Sequence, residues 1–339
     1  MSSVKRIGIV GAGGISRAHG NACRQLEDVQ IVAVCDIRPE AAERYANDYG
    51  ADKHYGSLEE MLKNEELDAA VICVWGAFHA EVGIQIAESK AAKAILCEKP
   101  FTSTGAEAAA FVDACEENGV LVAEAFKFRH HPRHMKAKAL IEEGAIEELT
   151  TVRSTFCIGS RKDARTPGSN WRWTKSQGGG SIYDLACYNI HHARYIFNAD
   201  PVRVFAAEQP GFEVDDAAYM LFVFPCGGTA QISVGWTSWS AEYIEIGGQG
   251  GSMRMDAVWN CGGRATSLRL QARSRSETFE FEPYDQFALQ MRHLLDCLET
   301  GETHRIPARN SVGQMNTIDA IFESMKTGKA VEVSKEGAE

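Results

Sequence analysis

Short apolar runs alternate with amphipathic stretches through the first 125 residues of the chain. Residues 6–10 form such a run and lead into a glycine-rich turn, after which residues 15–26 follow the spacing of an amphipathic helix. The same pattern then recurs. Strands that alternate with helices predict a doubly wound parallel sheet, an α/β fold. The further strands predicted here are residues 30–35, 68–74, 94–97 and 120–124.

The rhythm changes near residues 144–149, beyond which strand-like runs follow one another with few helices between them. This half predicts an α+β domain with a large, mostly antiparallel open sheet. A chain of 339 residues exceeds the ~250–300 that one hydrophobic core usually supports. We therefore predict two domains, residues 1–125 and 126–339. The second contains strands near 150–158, 201–208, 217–224, 229–236 and 243–246, and helices at 182–197, 285–299 and 311–326.

Charge and composition exclude several classes of protein. Acidic residues outnumber basic ones, 46 to 35, which gives a formal net charge of −11 and argues against a nucleic-acid partner. No apolar run approaches the ~20 residues of a membrane span, and no signal segment precedes the first strand. We therefore expect no membrane partner and a cytoplasmic location. The ten cysteines contain no C-x-x-C pair, so we expect reduced, structural thiols.

The glycine-rich turn has the features of a dinucleotide site. Gly11 and Gly13 allow close approach of a pyrophosphate, and the helix opened by Gly14 and Ile15 directs its N-terminus at the phosphates. Asp36 ends the second strand and would accept hydrogen bonds from ribose hydroxyls while repelling a 2′-phosphate. We therefore predict a Rossmann domain that binds NAD or NADP, with NAD favoured.

Two residues loosen this prediction. Ser16 replaces the third glycine of the fingerprint, and Arg38 stands two positions after Asp36, which leaves NADP open. The other residues predicted to contact the cofactor are Trp75, His79, Glu98, Lys99, Trp171 and Arg172.

Glu98-Lys99-Pro100 follows the apolar strand 94–97. Open α/β sheets bind their ligands in the crevice beyond the carboxyl ends of the strands, so Lys99 is a candidate catalytic cation.

A titratable stripe lies on the predicted helix 182–197. At 100° per residue, Asp184, Tyr188, His191 and Tyr195 share one sector, and apolar residues occupy the other side. Such a stripe is more often a solvated face than an active site. The glycines 178–180 just before the helix favour the second interpretation, because they allow close approach of another group.

Hydride transfer at a hydroxyl-bearing carbon needs a group that carries the hydroxyl proton. Tyrosine and lysine have reference pKa values of about 10 and 10.4, so each needs its surroundings to shift its pKa. We expect Tyr188 to carry the proton and Lys99 to tune it, with the reverse division left open. The histidines at 130, 131, 134, 191 and 192 lack a metal-ligand pattern with carboxylates, so we predict no metal.

Together these motifs resemble the Gfo/Idh/MocA family of oxidoreductases over nearly the whole chain. The resemblance rests on Gly11-Ala12-Gly13, His79, Glu98-Lys99-Pro100, the segment 124–132, Trp171-Arg172, and Gly178-Gly179-Gly180 followed by Asp184. It implies a nicotinamide enzyme that acts mostly on sugars or polyols, in which Lys99 matches the catalytic lysine. It also implies that the second-domain sheet pairs subunits, as a homodimer or homotetramer.

Tyr188 stands where many family members have histidine. In this it is similar to the branch with glucose-fructose oxidoreductase, dihydrodiol dehydrogenase and aldose dehydrogenases. The resemblance therefore implies an aldose dehydrogenase or ketosugar reductase, with Asp184 orienting the substrate or holding Lys99. An NAD-retaining glycosidase and a cofactor-sensing regulator are the alternatives. The predicted substrate contacts are Lys99, Glu124, Arg129, Asp184, Tyr188 and His191.

Overall fold

The computed structural model describes residues 4–261, 263–273 and 275–338. The chain divides into two compact units. One runs to Lys127 and includes Asp285–Val312, and the other comprises Phe128–Tyr284 and Gly313–Gly337.

The sheet of the first unit is parallel throughout. Over residues 4–127 it has six strands in the order β3-β2-β1-β4-β5-β6, so that β1 lies between β2 and β4. The chain leaves β1 toward one side of the sheet and returns to its other side, which is the switch point of a doubly wound fold. The strands are β1 (Lys5–Val10), β2 (Val29–Cys35), β3 (Lys53–Tyr55), β4 (Leu67–Ile72), β5 (Ala92–Cys97) and β6 (Leu121–Glu124).

Helices connect these strands, and two of them begin with a side-chain cap. The Ser57 hydroxyl accepts from the backbone N–H of Glu60, and Thr104 accepts from that of Glu107. Each cap satisfies a backbone donor that the helix itself leaves unpaired. The helices are α1 (Ser16–Cys23), α2 (Pro39–Tyr49), α3 (Leu58–Asn64), α4 (His79–Ser89) and α5 (Gly105–Glu117).

The sheet of the second unit is mostly antiparallel. Its described residues form nine strands in the order β14-β13-β12-β11-β7-β10-β9-β8-β15, and only β7 and β10 pair in parallel within them. The predicted fold class is confirmed. The strands are β7 (Leu149–Cys157), β8 (Arg203–Pro210), β9 (Asp215–Val223), β10 (Thr229–Gly235), β11 (Ala241–Gly248), β12 (Gly251–Asp256), β13 (Thr266–Ala272), β14 (Ser276–Phe281) and β15 (Val331–Glu332).

Helix α6 (Pro132–Glu142) precedes this sheet, and α7 (Cys187–Phe197) packs on β7 and β10. A π-helical turn, Ile182–Ala186, leads into α7, so the predicted helix 182–197 begins with a wider turn than α-helical spacing implies. Strands β12, β13 and β14 were not predicted. Buried Met253 and Met255 in β12 and buried Leu268 and Leu270 in β13 alternate with polar positions, a strand pattern that the prediction overlooked.

The C-terminal helices are α8 (Gln286–Thr300) and α9 (Ala308–Thr327). Helix α8 belongs to the first unit, because Met291, Leu294 and Leu295 are buried in the same core as Ile7 and Leu96. The predicted division at residue 125 assigned residues 285–312 to the second domain, whereas the chain returns here to the first unit. Burial of this apolar helix face against the parallel sheet accounts for the return.

All ten cysteines fall in the described ranges, and none of them is in a disulfide there. Among residues 4–261, 263–273 and 275–338, no helix combines the length and the apolar character that crossing a bilayer requires.

Candidate active site

The glycine-rich turn lies at the switch point of the first unit. Gly11 has φ +97°, and a Cβ there would stand 2.8 Å from the backbone carbon of Cys73, at the end of the neighbouring β4. Gly13 and Gly14 face open space instead, since a Cβ on either would meet nothing within 4 Å. The N-terminus of α1 at Ile15 has no side-chain cap. Open glycines before an uncapped helix N-terminus fit a dinucleotide pyrophosphate.

Asp36 is joined to this turn. Its Oδ2 accepts from the backbone N–H of Ala12 at 2.8 Å, and its Oδ1 accepts from the backbone N–H of Arg38 at 2.9 Å. The Arg38 guanidinium lies 3.4 Å from Oδ1 and is two-thirds exposed. The predicted acid and the glycines therefore meet, with a cation beside them.

Lys99 follows β5 and is half-buried, and its peptide bond to Pro100 is cis. Glu98 before it is buried. Its Oε1 lies 2.8 Å from His19 Nε2, and its Oε2 accepts from the backbone N–H of Lys99 at 3.2 Å. The contact of Glu98 with the cofactor stays a prediction, and within the first unit this side chain holds protein groups.

His79 is also turned into the protein. It is buried, with Nδ1 2.8 Å from the Pro100 carbonyl and Nε2 3.1 Å from that of Val74. Burial lowers the pKa of His79 despite these carbonyls, so the ring is neutral and donates one hydrogen bond. The shorter contact identifies Nδ1 as the donor. His79 thus links the ends of β4 and β5, and its cofactor contact stays a prediction.

Two further predicted residues lie at strand ends of this unit. Trp75 follows β4 and is 46% exposed, with its ring 6.4 Å from that of Phe78. Glu124 ends β6, pairs in register with Cys97 and is buried. Both therefore lie at the carboxyl edge of the sheet, where this fold binds ligands.

In the second unit, Asp184 lies within the π-helical turn and is buried. Its Oδ2 accepts from Arg172 Nε at 2.7 Å, and the Arg172 guanidinium lies 4.8 Å from the centre of the Trp171 ring. Three of the residues predicted from separate motifs thus form one contact group. The π-turn that carries Asp184 is a rare geometry, often found at functional sites.

The glycines before this turn are required by close packing. A Cβ on Gly179 would stand 2.6 Å from the backbone oxygens of Trp171 and Arg172. At Gly180, with φ +118°, a Cβ would stand 2.4 Å from Asp215 Oδ1. The Asp215 carboxyl accepts from Ile182 N at 3.0 Å and from the Ser181 hydroxyl, so it caps the turn. Burial raises the pKa of Asp215 to about 7.

Tyr188 is nearly buried among aromatic rings. Its ring centre lies 5.5 Å from Trp259, 5.9 Å from Phe156 and 6.2 Å from Phe128. These rings surround the side chain, which is 8% exposed.

His191 and Tyr195, predicted on the same stripe, share a contact with Arg129. Arg129 Nη1 donates to His191 Nε2 at 2.9 Å, and its guanidinium lies 3.7 Å from the centre of the Tyr195 ring. Burial, together with the positive charge of Arg129, lowers the pKa of His191 well below its usual value. His191 is therefore neutral.

Sequence reasoning missed three buried polar residues. His19 pairs with Glu98, Asp215 caps the π-turn, and Arg133 is fully buried and donates to the backbone carbonyls of Asp256, Ala257 and Val258. Each lies far along the chain from its partner, so no local pattern identifies it.

A dinucleotide turn after β1 and a lysine after β5, at the same carboxyl edge of one parallel sheet, define a Rossmann-type oxidoreductase site. Residues 5–126 match the model of an oxidoreductase family with an NAD-binding Rossmann fold, and residues 134–254 match that of the GFO/IDH/MocA C-terminal domain. The chain belongs to the Gfo/Idh/MocA oxidoreductase family. The predicted family, enzyme class and nicotinamide cofactor are confirmed, whereas the preference for NAD stays a prediction.

Similar proteins place the chain among dehydrogenases. It is 30% identical to D-xylose 1-dehydrogenase (NADP(+)) 2 of Haloferax volcanii, over 96% of this chain and 99% of that protein. It is 26% identical to trans-1,2-dihydrobenzene-1,2-diol dehydrogenase of Sus scrofa, over 87% and 89%. The fold matches that of aldose-aldose oxidoreductase from Caulobacter crescentus, with a TM-score of 0.88, 23% identity, and coverage of 97% and 99%.

Buried neutral histidines predict a loss of stability in acid. Burial lowers the pKa of His131 to about 4 and that of His192 to about 3, from 6.5. Between pH 6.5 and these values the unfolded chain binds more protons, so the free energy of unfolding falls as the pH falls, by ~1.4 kcal/mol per pH unit for each histidine. Urea unfolding measures the free energy of unfolding at each pH. Between pH 6.5 and 4 we expect this free energy to fall less steeply in His192→Leu than in the wild type, by ~1.4 kcal/mol per pH unit, which corresponds to one proton.

The exposed His54 is the matched control, and His54→Leu should leave the slope unchanged. An unaltered slope in His192→Leu, or an equal change in both variants, would contradict the assignment of neutral buried histidine.

Proposed function

We propose that this protein transfers a hydride between a nicotinamide dinucleotide and a carbon of a sugar, with C1 of an aldose favoured. The observation that carries the proposal is the position of Lys99. It follows β5, in the same unit as the open glycine turn and Asp36. A cation at this sheet edge supports reaction at a polar oxygen beside a bound dinucleotide. The named relatives, which include a xylose 1-dehydrogenase, agree with a sugar substrate.

Each proposed residue has a defined task. When bound, the nicotinamide supplies the hydride acceptor or donor. In the oxidation direction, Tyr188 in its phenolate form would take the proton from the substrate hydroxyl, while the carbon that bears this hydroxyl loses a hydride, which the bound nicotinamide would accept. Lys99 donates a hydrogen bond to the substrate oxygen and stabilises negative charge there. Asp184, held by Arg172, accepts hydrogen bonds from the other hydroxyls and orients the ring.

The polar groups of the second unit support a substrate with many hydroxyls. Arg129 with His191, and Arg172 with Asp184, present donors and acceptors fixed by charge-assisted contacts. Trp171 adds an aromatic surface. Glu124 in the first unit is a further acceptor proposed to contact the substrate.

We expect Lys99→Met and Tyr188→Phe each to lower kcat by about 10²- to 10⁴-fold, the usual contribution of a proton-transfer group. Turnover is measured by nicotinamide absorbance across a panel of aldoses, polyols and ketosugars. Lys93 is a matched control, since it is an exposed lysine at the other end of β5, paired with Asp68, and Lys93→Met should turn over normally.

Wild-type rates in both Lys99→Met and Tyr188→Phe would contradict these roles. Hydrolysis of a glycoside without accumulation of reduced cofactor would identify the NAD-retaining glycosidase instead, and cofactor binding without turnover of any substrate would identify the regulator.

We propose that NAD is the preferred cofactor and that Arg38 permits use of NADP. Asp36 disfavours a 2′-phosphate, but both of its oxygens already accept hydrogen bonds from the protein, and the exposed Arg38 guanidinium lies beside it. We expect Arg38→Ala to lower kcat/KM for NADP at least ~10-fold, the effect of one charge-assisted contact, with little change for NAD. Arg44→Ala, on the exposed face of α2, is the control, and equal losses for both cofactors would contradict the proposal.

We propose that the outer face of the second-unit sheet binds a second copy of the chain. Phe205 and Leu221 are opposite each other on β8 and β9 and are 43% and 42% exposed, beside Tyr219 at 51%. In the same row of the sheet, beyond Gln231 of β10, Arg153 and Glu245 form an ion pair across β7 and β11. A patch with both signs of charge and an apolar centre can match itself about a two-fold axis.

We expect Leu221→Arg to convert an oligomer into monomers, because the new charge would be buried without a partner. Light scattering after size exclusion measures the mass. Gln85→Arg, on the exposed side of α4 in the first unit, should keep the assembly, and an unchanged mass in Leu221→Arg would contradict this interface.

The cytoplasmic location stays a prediction, which is supported by ten cysteines that form no disulfide in the described residues.

A further inference from the structure

The pair formed by His19 and Glu98 lies inside the first unit, 79 positions apart in sequence. The side chain of His19 is 0% exposed and that of Glu98 is 6% exposed. His19 Nε2 lies 2.8 Å from Glu98 Oε1, and its ring meets that of Phe287 edge to face at 5.1 Å. A histidine and a carboxylate buried together in this way need each other's hydrogen bond.

The ionisation of Glu98 defines the direction of that bond. Burial would raise the pKa of Glu98, but the hydrogen bond from His19 and the positive charges of Lys99 and Lys127 outweigh burial and lower it. An ionised carboxylate only accepts, so His19 Nε2 carries the hydrogen and donates it.

The other oxygen of Glu98 reaches the catalytic lysine. Oε2 accepts from the backbone N–H of Lys99 at 3.2 Å. On the far side of Lys99, His79 holds the Pro100 carbonyl at 2.8 Å. Two buried histidines thus support the backbone of Lys99. His19 acts through Glu98, which binds the Lys99 N–H, and His79 binds the carbonyl of the next residue, Pro100.

His19 also belongs to the helix that begins at the dinucleotide turn. It lies three residues after Ser16, the first residue of α1, whose hydroxyl donates to Gly13 O at 2.7 Å. About one turn of helix α1 therefore separates the glycine-rich turn from the His19–Glu98 pair. The same helix start that faces the pyrophosphate also fixes the support of Lys99.

We propose that His19 is a positioning residue, which acts through Glu98 to fix the backbone of Lys99 relative to the dinucleotide turn. This inference rests on the proposed function of Lys99. Without His19, Oε1 of Glu98 would be buried and unpaired, so the carboxyl would take a proton or rotate, and its bond to the Lys99 N–H would be lost. A small displacement of a reacting group lowers the rate of the chemical step more than the binding of cofactor.

The test uses His19→Ala and His19→Gln in the full-length protein. In His19→Ala we expect kcat to fall ~10- to 100-fold, with KM for the cofactor changed no more than ~3-fold. Hydrogen exchange in the cofactor-free protein should become at least ~10-fold faster in the peptide covering residues 97–103, because the Lys99 amide is released. His19→Gln should recover most of both properties, since its amide nitrogen can donate to Glu98.

Cys23→Ala is the matched control, since Cys23 is buried on the same helix and packs in the apolar core. It should lower the melting temperature while leaving kcat and exchange at 97–103 unchanged. Wild-type exchange at 97–103 in His19→Ala, or equally faster exchange there in Cys23→Ala, would overturn the inference. If wild-type protein turns over no sugar, the proposed function fails, and the exchange measurement still decides the role of His19.

Discussion

The close approach of Gly11 to the backbone at Cys73 is the constraint on which the first unit depends. With 2.8 Å between the Cys73 carbon and a Cβ built at Gly11, only glycine brings the end of β1 against the end of β4. That contact places the turn at the switch point, where the next glycines face open space and α1 begins uncapped. Asp36 then closes the turn from β2 through the Ala12 N–H. A larger residue at position 11 would displace all of these groups together.

The second unit relies on buried polar groups held by the backbone. The buried Arg133 guanidinium donates hydrogen bonds to the three backbone carbonyls of residues 256–258, and Asp215 fixes the start of the π-turn. Burying such groups is costly unless each has a partner, so alternative packings that break these bonds are strongly disfavoured. The result is one defined conformation for the segment that carries Asp184 and Tyr188.

Local signals in the sequence were sufficient to predict much of the fold and of the candidate site. The glycines and the caps at Ser57 and Thr104 act within a few residues of their position, and Asp36 stands at the fixed spacing of the dinucleotide pattern, so spacing alone predicts them. The position of Lys99 follows from one strand and the general rule for parallel sheets. Arg172 and Asp184 were each predicted as site residues from separate motifs. Their contact was not predicted, although they are only twelve positions apart.

The features that sequence reasoning missed depend on tertiary contacts. The spacing of apolar residues cannot distinguish a π-helical turn from an α-helical one, so it could not predict the π-turn that carries Asp184. The return of α8 to the first core is a choice between two apolar surfaces, which composition does not resolve.

His79 shows the same limitation, because here the sequence predicted a ligand contact and the structure shows contacts with the protein. A histidine after a strand at the ligand edge predicts a ligand contact, yet its ring nitrogens lie 2.8 Å from the Pro100 carbonyl and 3.1 Å from the Val74 carbonyl inside the protein. Sequence motifs identify where polar groups are needed, but not whether they face the ligand or the residues that hold it. In this unit the side chains of two motif residues, His79 and Glu98, support the backbone around Lys99. The backbone around Lys99 is therefore held by residues that also resemble binding residues, because both tasks require polar side chains at the same strand ends.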